Sequence, residues 1–194
     1  MSSESSRTER FLNHLKPLQA GLETYCRRAL LNSNEIEDTL QSVVALTFRD
    51  FDRFAEGTNF RAWIFRYLNL EIVSRNREAV SRTPQTLHAE ESRLFSWEQS
   101  VLEQSFDSLL NQKDEILEHC DDALAQAVRC LPESERAVLL LRAVGDFRYR
   151  EISEILKIPV GTVMSCLSRS RATLRRQLQD FARDRGIERR DGLD

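Results

Sequence analysis

The chain has 194 residues, 30% of them charged, with a formal net charge of -3 and only six glycines and four prolines. That length admits one domain or two small ones, and so few turn-forming residues argue against a β-rich fold and for long amphipathic helices. Cys26, Cys120, Cys130 and Cys166 lie far apart, without the close pairs of a zinc site, and no secretory or membrane-spanning stretch interrupts them. Reduced thiols in a cytoplasmic protein are therefore expected, with no metal, no cofactor and no membrane contact. His14, His88 and His119 read as ordinary surface or core residues, and no nucleophile–base pair or phosphate loop suggests an enzyme.

Taken in order, Pro17 can open a helix running to about Leu31. Asn34 followed by Glu37 resembles a capping box for a helix through Ile36, Leu40, Val43, Val44 and Phe48. Gly57-Thr58-Asn59 breaks the chain, and Asn59 can cap a further helix carrying Phe60, Trp63, Ile64, Tyr67, Leu68 and Ile72 that turns basic at Arg75 and Arg77. Residues 83 to 130 carry three basic and ten acidic side chains. Leu94, Trp97, Val101, Phe106, Leu109 and Leu110 within that stretch predict at least one amphipathic helix.

From Leu131 the pattern sharpens. Ile152, Ile155 and Leu156 form an apolar stripe on a short helix starting near Tyr149, and Lys157-Ile158-Pro159 interrupts it. A second helix from about Val160 has Val163, Leu167 and Leu174 on its inner face, which leaves Thr162, Met164, Ser165, Cys166, Ser168 and Arg169 outward. Two helices joined by so short a turn fit a DNA-binding helix-turn-helix, whose second helix enters the major groove. Eight arginines against three acids between Ser165 and Arg190 supply a local positive field. Standing alone, such a run would more often be a solvated helix face.

The expected fold is all-α, with two small helical domains, 1–82 and 125–182, joined by an acidic, partly helical linker at 83–124 and followed by a charged tail at 183–194. The segment EIEDTLQSVVALTFRDFDRFAEGTNFRAWIFRYLNLEIVSRNR resembles the promoter-melting domain of bacterial sigma factors of the extracytoplasmic-function group. LPESERAVLLLR together with YREISEILKIPVGTV resembles that group's second domain, in the expected order.

The resemblance implies a specificity subunit that binds core RNA polymerase and directs it to promoter DNA, and it admits an anti-sigma factor as inhibitory partner. It places Asp38 and Gln41 on the polymerase-binding helix, where Ser42 stands for a usual acid and Glu35 and Glu37 are neighbouring candidates. It puts the loop Ala55 to Asn59 where a flipped base of the minus-ten element is captured. Asn59, Arg61, Trp63, Arg66, Asn69, Arg75 and Arg77 are then the candidates for the opened strand, since holding unstacked bases calls for a π surface and cations. Trp63 reads more readily as core than as a stacking platform. Leu70 and Ser74 depart from the family's asparagine and aspartate.

For the minus-thirty-five element the candidates are Gly161, Thr162, Met164, Ser165, Arg169 and Arg171, with base-edge contacts near the start of the recognition helix and arginines on phosphates. Met164 and Cys166 stand where the family usually has lysine and arginine, and Ser168 and Ser170 where histidine and alanine are frequent. Two missing cations predict a salt slope lower by roughly two. Met164 could instead touch a thymine methyl. The acidic linker could occupy a basic polymerase channel by imitating a phosphate backbone. Two other function classes stay open: a helix-turn-helix regulator acting without polymerase, and a sigma-like adaptor that sequesters a partner.

Overall fold

A computed structural model describes the backbone of residues 2–82 and 124–184, and the side chains of 6–81 and 124–178 within them. The first helix, α1 (Ser2–Leu15), has no counterpart among the elements expected from the sequence. Among its described side chains, Phe11 and Leu15, one turn apart, are the buried ones. Phe11 enters an aromatic cluster, edge-on to Phe48, Phe51 and Phe60 at ring-centroid distances of 5.2, 5.3 and 5.9 Å. Burying such a ring contributes about 2–3 kcal/mol, enough to recruit a helix whose periodicity is otherwise weak.

Pro17 lies in a 3-10 turn, Lys16–Leu18, and α2 (Gln19–Ala29) follows directly. The expected cap at Asn34 moves upstream. Asn32 has the extended backbone a cap requires, accepts the Asn34 N–H at 3.1 Å and donates to Glu35 at 2.9 Å. A turn at Ser33–Glu35 then leads into α3 (Ile36–Arg49). Asn59 caps α4 (Phe60–Arg82) as expected, its Oδ1 accepting the Ala62 N–H at 3.1 Å.

Asn76 fastens α4 to the end of α2. Its side chain is buried, accepts the Leu31 N–H at 2.9 Å and donates to the Ala29 carbonyl at 3.1 Å. These are backbone groups orphaned where α2 ends, so one amide satisfies a donor and an acceptor together.

In the second part of the chain residues 124–129 are helical, followed by α5 (Glu133–Ala143), α6 (Tyr149–Leu156) and α7 (Val160–Asp184). Ile152, Ile155, Val163, Leu167 and Leu174 are buried as their spacing requires. Gly145 permits the turn before α6, because a Cβ there would meet the Phe147 ring at 2.5 Å and the Leu141 carbonyl at 2.6 Å. Lys157 ends α6 in the left-handed region at φ 57°, and Pro159 accepts the first N–H groups of α7 from Thr162 and Val163.

Every regular element among the described residues is helical. The buried side chains of both parts form one continuous cluster, with α2 against α5 and α4 against α6. The apolar positions Leu94 to Leu110 and the end of the charged tail lie outside the described residues.

Candidate nucleic-acid interface

The minus-ten candidates share α4 and the loop before it. Gly57 turns that loop with φ 85°, a conformation that favours glycine, and Thr58 closes it through its hydroxyl on the Ala55 carbonyl at 2.7 Å. Helix α1 holds the loop's flanks: Arg7 pairs with Asp52 at 3.0 Å and lies over the Phe48 ring, and Arg10 pairs with Glu56. Sequence reasoning passed over both arginines, since nothing local relates positions more than 40 residues apart.

Along α4 the candidates divide. Arg66 is exposed. Trp63 is half-buried, tilted against Phe54 and Phe60 and edge-on to Tyr67 at 5.0 Å, so part of its surface belongs to the aromatic cluster. Asn69 accepts the hydroxyl of the fully buried Tyr25 at 3.1 Å. Arg75 turns away from the loop toward α3. It pairs with Glu71 at 2.9 Å, donates to Ser42 at 3.1 Å and approaches Glu35 at 3.9 Å. Its side chain is 21% exposed and binds the two helices together.

Arg75 therefore meets the polymerase-binding candidates rather than the other arginines. Asp38 and Glu37 are exposed in the first turn of α3, where acids complement the helix dipole, and Gln41 donates to Glu37 at 3.2 Å. Glu35 is half-buried beside Asn32 and Arg75. Ser42, standing for the usual acid, receives a hydrogen bond from Arg75.

On α7, Gly161, Thr162 and Ser165 are exposed, and Met164 and Arg171 are half-buried. Arg169 is committed on one side: its Nε donates to Glu135 at 2.7 Å, and Nη2 lies 3.6 Å from the Cys166 sulfur. Cys166 corrects the outward assignment made from spacing, because it is 1% exposed and lies in the core. Burial pushes its thiol pKa up, so it is a neutral interior group. A cation at this position would face the interior, and the expected deficit of two phosphate-binding charges shrinks to the one at Met164. Ser170 is likewise buried, donating to the Leu167 carbonyl at 3.0 Å.

The described residues are helical throughout, and in the C-terminal part α6 and α7 meet across a three-residue turn with a polar first turn exposed on α7, the geometry of the helix-turn-helix DNA-binding proteins. The family "Sigma-70, region 4" matches residues 121–174. The ECF RNA polymerase sigma factor SigW of Bacillus subtilis is 30% identical over 159 residues, covering 80% of this chain and 82% of that protein. The chain belongs to the ECF RNA polymerase sigma factors, proteins of transcription initiation.

The RNA polymerase sigma factor HrpL of Pseudomonas syringae is 27% identical over 83% of each chain. Among solved structures, the sigma factor RpoE of Bartonella quintana, in complex with the anti-sigma factor NepR, shares the fold with a TM-score of 0.65 at 20% identity. That match covers 88% of this chain and 98% of the other. CnrH, in complex with the cytosolic domain of CnrY, gives 0.63 at 17% identity, covering 89% and 90%. Among the described residues no helix is long and apolar enough to cross a membrane, and no group of His, Cys, Asp and Glu could hold a metal ion.

Proposed function

We propose that this chain binds core RNA polymerase through the exposed start of α3, around Asp38 and Gln41, and carries it to promoters read at two places. The part within residues 1–82 binds the opened strand of the minus-ten element with Asn59, Arg61, Arg66 and Arg77. Trp63 offers the exposed part of its ring, and Asn69 and Arg75 hold α4 in position. The part within residues 125–182 reads the minus-thirty-five element through α7. Thr162, Met164 and Ser165 meet base edges, and Arg171, with the free side of Arg169, meets phosphates. The protein supplies specificity and strand separation, and the polymerase supplies catalysis. An anti-sigma factor is the natural inhibitory partner, as the complex of RpoE with the anti-sigma factor NepR suggests.

The observation that carries this reading is the exposure of the first turn of α7 beyond a supported helix-turn-helix, in the same chain as the exposed acids of α3. Copurification with core polymerase followed by promoter-specific transcription from purified components tests it. Asp38→Ala should weaken core binding about tenfold, in line with losing a central charged contact. Core binding without transcription from any promoter would favour a sequestering adaptor. Operator binding that neither needs nor recruits polymerase would favour a conventional regulator.

A further inference from the structure

Helix α1 lies along the segment that leads into α4 and touches it before, within and after the loop. Arg7 donates to the Phe48 and Arg49 carbonyls at 2.6 and 3.3 Å, so a cation from another helix satisfies acceptors left open in the last turn of α3 and suits the negative end of its dipole. Arg10 pairs with Glu56 inside the loop, its guanidinium 5.8 Å from the centre of the Phe51 ring. His14 stacks on Phe60, the first residue of α4, at 4.9 Å. Positions 7, 10, 11 and 14 share one helical face, and Arg7 with the buried Phe11 fixes that face against the segment.

As a stabilising device the Arg10–Glu56 pair is poor. Its side chains are 52% and 73% exposed, and ion pairs so open to water contribute little. Its place gives it another use. Glu56 stands three residues before Asn59, on the loop that leads to the proposed strand-binding side chains, and a bare carboxylate there would repel phosphates at close range. Glu151 also meets this loop, accepting from Asn59 Nδ2 at 2.8 Å, but it belongs to α6, where it also accepts the Arg148 N–H at 2.8 Å. Within residues 55–59 the acid is Glu56.

We propose that Arg10 masks Glu56: α1 holds the guanidinium against the carboxylate, so that a loop containing an acid accepts a polyanionic strand. This rests on the strand-binding role proposed above for Asn59 and α4. Arg10 is a positioning residue that acts through Glu56 and leaves the phosphates to other side chains. The contact makes α1 part of the strand-binding device, with Arg7 and Phe11 as its anchors.

The full-length chain is assembled with core polymerase, and its affinity for a labelled single-stranded DNA of mixed sequence, about 20 nucleotides long to cover a single-strand site, is measured as the gain over core polymerase alone. Assembly is checked to be equal for every variant, since Phe48 beside Arg7 lies about 15 Å along α3 from Asp38. Arg10→Gln bares Glu56 and should weaken strand binding about three- to fivefold, the scale of one added like-charge contact, with the loss shrinking as salt is raised. Adding Glu56→Gln to Arg10→Gln should bring affinity back to within about twofold of wild type, and Arg10→Lys should stay there too. Arg27→Gln bares Glu23 in another exposed pair, on α2, and as the control for net charge should also remain within about twofold. A double variant as weak as Arg10→Gln overturns the proposal, because Arg10 would then meet the strand itself, and so does an equal loss in Arg27→Gln. If wild type adds no strand affinity to core polymerase, the strand-binding role falls and the masking with it. Binding by wild type that Arg10→Gln leaves unchanged overturns the masking alone.

Discussion

Arg169 and Glu135 join α7 to α5 through a 2.7 Å hydrogen bond between Nε and a carboxylate whose side chain is only 10% exposed. The pairing keeps Arg169's pKa above its ordinary value, the hydrogen bond to Glu135 being the main cause. Arg169 thus positions α7, and in the proposed function it also offers its outer nitrogens to DNA. Arg169→Gln should lower stability by about 1 kcal/mol, a modest figure because the arginine is partly solvated. Its effect on upstream promoter affinity should be smaller than that of Arg171→Gln. Urea unfolding and DNA titration of the two variants check this.

Met164 is the outward position on α7 where this chain lacks the family's cation. Met164→Lys should raise affinity for duplex DNA of any sequence and steepen the salt dependence by about one unit of slope. Titrations at several salt concentrations measure it, and replacing promoter thymines by uracil shows whether the native methionine reads a methyl group.

Gly161 has open space around it: a Cβ there meets nothing within 4 Å. Gly161→Ala should therefore leave thermal stability unchanged or raise it by up to about 1 kcal/mol. Weaker promoter binding without loss of stability would show that the DNA backbone approaches here closely enough to need the missing side chain.

The Asn76 clamp should be among the most sensitive polar positions in the N-terminal half. Asn76→Ala strands the Leu31 N–H and the Ala29 carbonyl together, which should cost about 2–3 kcal/mol. A fall in the denaturant midpoint at constant slope would register it.

The cysteines should separate sharply by reactivity. Burial pushes the Cys26 thiol up to about 11, and Cys166 moves the same way, whereas Cys130 is exposed. In a Cys120→Ser background at pH 8, Cys130 should be alkylated first, because a thiol with a pKa near 11 is ionised in only about one molecule in a thousand. Cys26 and Cys166 should react only when denaturant exposes them, as mass spectrometry of timed samples would report.

Much of the fold was legible because its signals are local and apolar. Ile152, Ile155, Val163 and Leu167 announce themselves at helical spacing, and Asn59 caps α4 where its residue type and position suggest. The misreadings share a cause. Cys166, read as outward, and Ser170 and Asn76, whose burial was not read at all, are small or polar residues at interior positions, and their burial depends on the tertiary packing around them. Arg75 looked like one more cation on a basic helix, yet Glu71, Ser42 and Glu35 draw it toward α3. The pairing of Asn59 with Glu151 leaves no periodic trace at all.

One feature of α7 bears on how the protein would grip DNA. The proposed recognition residues and the exposed Arg175 and Arg176 lie on a single unbroken helix, about 21 Å from Gly161 to Arg175 at 1.5 Å per residue. Such a rod acts as a rudder: a phosphate caught at the stern fixes the heading of the bow. A helix-breaking substitution between the two ends, such as Ala172→Pro, would uncouple grip from steering while leaving every side chain proposed to contact DNA in the sequence.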